Sequence, residues 1–158
     1  MLLGLISGLI FFIIPVVGFN FQYFPGDLAD GRLNLYFLEH AHKFLTGQLT
    51  SLWDAPFMFP EKNTLAFSDN LLGSAPIYSF FRAIGLNTYL SYQLWYVVVS
   101  SLNYIAAYYL LKHLFKNNYA AVIGAFVFAF SIALNSQLGH AQTFPRFAIP
   151  FAILMAVK

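Results

Sequence analysis

The chain has no cysteine, which excludes disulfides and thiolate metal sites and leaves the redox compartment unread. Charge is nearly as scarce. Asp, Glu, Lys and Arg make up 9% of the 158 residues, against about a quarter in soluble domains, too few to clothe a surface that faces water. The formal net charge of +2 and the lack of any basic run give no footing for nucleic acid. No fixed-period repeat, low-complexity tract or domain linker is visible. What fills the space is apolar: 59% hydrophobic residues with 19 Phe and 10 Tyr, and a mean hydropathy of +0.67. Such a composition suits lipid contact and interfacial aromatic belts, and it reads as an integral membrane protein.

The few acids are gathered. Asp27, Asp30, Glu39, Asp54, Glu61 and Asp69 all fall between Asn20 and Thr88, with long apolar runs on both sides. Residues 2–19 form an apolar run interrupted only by Gly4, Ser7, Gly8, Pro15 and Gly18, near the ~20 residues a spanning helix needs. No Lys or Arg precedes it and no small-x-small site follows, so it reads as an uncleaved first span rather than a signal peptide. Leu33, Phe37, Ala41 and Phe44 then recur at the spacing of one helix face, with Arg32, Tyr36, Glu39 and Lys43 on another and Gly47 placed to end the helix. This amphipathic pattern predicts a helix in the interface plane. An aromatic loop follows over 51–60, and Ser68-Asp69-Asn70 is placed to cap a second short interfacial helix over 71–84. Residues 89–111 and 119–138 read as further spans, and 147–158 as the start of another, so the chain has the look of the amino-terminal part of a longer protein.

The expected fold is therefore all-α: multi-pass transmembrane helices, with two interfacial helices in a long first external loop over 20–88, all in one membrane domain. If Lys112, Lys116 and Lys158 are cytoplasmic, that loop and the polar turn 139–146 share the outer face of a plasma membrane, a bacterial inner membrane by this reading.

Function is expected where those two polar stretches meet. Asp27 and Asp30, at the mouth of the first span, suit a general base on an acceptor hydroxyl or a ligand for a divalent metal beside a phosphate leaving group. Their plainer roles are turn residue for Asp27 and N-cap for Asp30. Glu39, His40 and His42 have the makings of a metal cluster, or of a solvated helix face. Asp69 is an N-cap or a substrate contact. In the later turn His140, Gln142 and Arg146 are polar groups between two spans, costly there unless they face a cavity. Arg146 suits a phosphate, by its two-pronged guanidinium, or snorkels to headgroups. Gln93, Asn103 and Asn135 read as helix-packing contacts.

The order of these features resembles the start of the GT-C class of membrane glycosyltransferases, among them the protein O-mannosyltransferases and lipid A aminoarabinose transferases. The resemblance is carried by Gly26-Asp27-Leu28-Ala29-Asp30-Gly31-Arg32, Gly47 before Trp53, Ser74-Ala75-Pro76-Ile77-Tyr78, Ile84-Gly85-Leu86 and Gly139-His140. Asp30-Gly31-Arg32-Leu33-Asn34, Glu39-His40 and Phe67-Ser68-Asp69-Asn70 are similar to bacterial multi-pass proteins grouped with that class. The resemblance implies a polyprenyl-phosphate sugar donor and transfer on the outer membrane face. It implies Asp30 as the essential acid with Asp27 second, Arg146 and His140 toward the donor phosphate, and Asp69 toward acceptor or metal. Where active members carry an Asp-Glu pair, this chain has Asp30-Gly31. A transporter or flippase for a lipid-linked glycan, or a non-catalytic assembly protein of the same fold, are the competing readings.

Overall fold

A computed structural model describes residues 1–68, 70–131 and 140–157. Asp69 and the stretch 132–139, with Asn135 and the end of the expected third span, lie outside the described residues. All regular structure among the described residues is helical, in agreement with the all-α expectation.

Helix α1 runs over Leu2–Val17. Its ladder widens to π geometry over Leu9–Ile13, directly ahead of Pro15, whose missing N–H and bulky ring disturb the carbonyl four residues back. Gly18 ends it with φ +79, a conformation open to glycine at little cost. Helix α2, Asp30–Leu45, starts on a cap supplied from outside its first turn: Asp27 Oδ1 accepts from the N–H of Ala29 and of Gly31, both at 3.0 Å. Helix α3 is Ala75–Ala83, shorter than the expected 71–84. Asn70, one of the residues expected to cap it, lies instead in a preceding turn, where its Oδ1 accepts from Leu72 N–H. Ser74 sits at the N-cap position, and Pro76 in the first turn sets the start.

Helix α4, Thr88–Phe115, is capped by Asn87, whose Oδ1 accepts from Leu90 N–H at 2.9 Å. At 1.5 Å per residue it is about 42 Å long. Among the described residues it alone is long and apolar enough to cross a membrane. Lys116 turns the chain in the left-handed region (φ 53), and Asn117 Oδ1 accepts from the N–H of Tyr119 and Ala120 to start helix α5, Asn118–Phe130. A two-residue turn of this kind forces α5 back along α4. Helix α6, Ala148–Ala156, packs against α4 as well.

The core runs along α4, where Tyr92, Trp95, Tyr96, Val99, Ser100, Asn103 and Tyr104 are sealed. Small residues let the neighbouring helices close in: Gly8 of α1 lies against the Phe130 ring, leaving no room for a Cβ. The loop after α2 is folded rather than loose. Leu52, Ala55 and Leu65 are buried, and Phe57 meets Phe37 edge-on at 5.6 Å.

Candidate functional site

Two buried amides on α4 position the polar stretches. Gln93 Nε2 donates to the carbonyls of Phe21 and Tyr23, at 2.8 and 2.6 Å, fixing the exit from α1. Phe24 continues this contact by stacking on Tyr92 with centroids 5.3 Å apart. Asn103, fully buried, does the same for the later turn: its Nδ2 donates to the Phe144 carbonyl at 2.8 Å and its Oδ1 accepts from Arg146 N–H at 3.0 Å. The Phe144 ring lies 4.9 Å from that of Tyr96. Sequence reasoning gave these two amides no part in a site, because nothing in a sequence tells a helix-packing amide from one that pins a distant turn.

Held in this way, the two stretches meet. His140 Nδ1 stands 3.6 Å from Asp30 Oδ2, an ion pair when the imidazole is protonated. Both side chains stay about half exposed, at 55% and 53%, so a substrate can reach them. They line a cavity of about 230 Å³ with Leu33, Asn34, Phe37, Ser68 and Gln142. A second cavity of about 230 Å³, walled by Asn70, Leu71, Gly73, Ser74, Pro145, Phe147 and Ala148, also has Gln142 in its lining.

The two aspartates divide the roles proposed for them. Asp27 is the cap of α2. The backbone N–H of Gly31, more than that of Ala29 and the charge of His140, holds its carboxyl below the ordinary value. Asp30, the expected N-cap, is instead the first helical residue, and that leaves its carboxylate facing His140.

Arg146 departs from its expected place. Its backbone belongs to the pinned turn, but its guanidinium lies 5.1 Å over the Phe128 ring, with Nη2 donating to the Phe128 carbonyl at 3.2 Å. It is not among the residues lining the Asp30 cavity. Burial lowers its pKa from the ordinary value. The expected contact at Asp69 lies outside the described residues.

Glu39, His40 and His42 form neither a metal cluster nor a solvated face. Glu39 accepts from Tyr78 Oη at 2.7 Å and pairs with Arg82 Nε at 2.9 Å, joining α2 to α3. Burial works against its charge, but the bonds from Arg82 and Tyr78 outweigh it and hold the carboxyl below the ordinary glutamate value. Burial, followed by the Glu39 carboxylate, pushes the Tyr78 hydroxyl up, so it remains a donor. Buried His40 donates from Nε2 to the Leu52 carbonyl at 2.8 Å, and His42 Nδ1 shares a 2.8 Å hydrogen bond with Ser79 Oγ. Burial lowers the His42 pKa despite the nearby Glu39. The three side chains, close together on one helix, are taken up by four residues of the loop and of α3, which spacing alone does not reveal. Among the described residues no group of three or more His, Cys, Asp or Glu is placed to hold a metal.

Compared with protein-family models, curated proteins and solved structures, the chain matches none.

Proposed function

We propose that this chain belongs to a membrane glycosyltransferase that moves a sugar from a polyprenyl-phosphate donor to an acceptor on the outer face of the plasma membrane. In this reading α1, α4 and α5 cross the bilayer as parts of a multi-pass bundle, and α2 and α3 lie at the outer interface. The observation that carries the proposal is the accessible Asp30–His140 pair in a cavity between two chain segments far apart in sequence.

The chemistry follows from these side chains. Asp30 is the general base: its carboxylate takes the proton of the acceptor hydroxyl as the acceptor oxygen bonds to the anomeric carbon. The bond from that carbon to the donor phosphate oxygen breaks, and the phosphate leaves with its electron pair. His140 offers a ring N–H donor to the charge growing on the phosphate, the role of a donor placed where charge develops. Arg146, turned to Phe128, has no part in this step. Asp30 and His140 are the groups of this cavity that would hold a divalent cation, and no step is routed through one.

Purified full-length protein in lipid, given a labelled polyprenyl-phosphate sugar, tests the proposal. Asp30→Asn keeps the shape of the site and removes the base, so transfer falls by a factor on the order of 100 to 10,000. Unchanged transfer refutes the proposal.

A further inference from the structure

The two cavities described above have one wall in common, Gln142, and its side chain is poorly satisfied. Its Oε1 is buried and accepts no hydrogen bond, although the great majority of buried polar groups have a partner. A buried acceptor left bare is unfavourable, and a turn of the Gln142 amide toward either cavity would let a ligand there supply the missing donor. The residue is also held firmly. It is the middle residue of the 3-10 turn Ala141–Thr143, which is closed by Thr143 N–H and Oγ1 donating to the His140 carbonyl and tied to α4 two residues later by Asn103. An acceptor on a pinned turn, between a chamber with Asp30 and His140 and one lined by Asn70 and Ser74, suits a ligand rich in hydroxyl donors.

We infer that Gln142 contacts the glycosyl group of the donor: its amide carbonyl accepts a hydrogen bond from one sugar hydroxyl, and the sugar lies between the two chambers. This rests on the glycosyltransferase reading and adds to it a residue that selects among sugars. A site built to bind a hydroxyl discriminates strongly against an analogue that lacks it, because the buried acceptor is then left unpaired. Leucine at this position accepts nothing and would lose that discrimination.

The experiment uses full-length protein in lipid with a panel of polyprenyl-phosphate hexoses, followed by the monodeoxy analogues of whichever hexose is turned over best. For wild-type protein, kcat/KM falls on the order of 10- to 100-fold for one deoxy position. Gln142→Leu lowers kcat/KM for the parent sugar by a similar factor and responds no further to removal of that hydroxyl. If Gln142→Leu does not fold, Gln142→Asn, which withdraws the amide by one methylene, is read by the same pattern. A folded variant with the wild-type ranking of every analogue overturns the inference. Asp30→Asn separates the two levels. If it abolishes transfer while Gln142→Leu changes nothing, only the assignment of Gln142 falls. If Asp30→Asn transfers like wild type, or no hexose in the panel is bound or turned over, the glycosyltransferase reading falls and this inference with it.

Discussion

Asn103 does more than pack a helix. One side chain satisfies both a carbonyl and an N–H of the turn that carries His140 and Gln142, and replacing it with leucine leaves both backbone groups bare. The loss is about 1–3 kcal/mol for each group left buried and unpaired. Asn103→Leu should therefore lower the thermal unfolding midpoint in detergent and abolish transfer together, whereas a leucine at nearby Ser101, a half-buried residue whose hydroxyl bonds back to Val97 within its own helix, changes less. Glu39 and Arg82 give a second test. The folded-state pKa of Glu39 lies below its ordinary value of 4.5, so the stabilisation is fully present above that value and is lost as pH falls through the depressed one. Arg82→Met leaves a partly buried carboxylate uncompensated at neutral pH, a cost of about 1–3 kcal/mol. As pH falls below 4.5 and through the depressed folded-state value the variant and the wild type should converge, because Glu39 once protonated no longer needs its partner. Unfolding midpoints measured from pH 3 to 7 (a range within reach of a detergent-stable protein, roughly spanning the carboxylate window) check this convergence.

Helix by helix, composition foretold the elements better than capping chemistry did. The runs behind α1, α4 and α5 were legible as apolar stretches, whereas the side-chain caps of α4 and α5 at Asn87 and Asn117 were not. The amphipathic pattern of α2 was legible too, but its meaning was not. A charged stripe suggested solvent, whereas Glu39, His40 and His42 are each matched to a partner from a loop or from α3. Pairing between segments tens of residues apart leaves no local trace in spacing, and the same holds for Gln93 and Asn103. The start of α3 was placed too early because Ser68-Asp69-Asn70 has the residue types of a cap, whereas Pro76 sets the actual first turn. Close packing of α1 on α5 provides the test at this scale. Gly8→Val puts methyl groups where the Phe130 ring lies, and overpacking of this kind costs typically about 1–3 kcal/mol. The unfolding midpoint should fall for Gly8→Val and be restored in part by Phe130→Ala in the same chain.

For the whole molecule, α4 is the spine on which the other helices and both polar stretches hang. Its two amides stand ten residues apart, about 15 Å along the axis, and each holds a different stretch. Sequence reasoning proposed that these stretches meet at a common aqueous face, and it named Asp30 and His140 among the polar groups they carry. The geometry brings those two side chains together and sends Arg146 elsewhere. The reason is local: the Phe128 ring and carbonyl lie within reach of the guanidinium and hold it away from the Asp30 cavity.

The absence of native cysteine makes this meeting directly measurable. In the full-length protein, with its membrane intact, Asp30→Cys and His140→Cys are introduced together and oxidised, and disulfide formation is read as protection from a thiol-reactive mass tag. The account predicts a cross-link in the double variant and none when Gly47→Cys, at the far end of α2, replaces Asp30→Cys. Failure of the 30–140 pair to cross-link in protein that is folded and labelled at both single sites would contradict it.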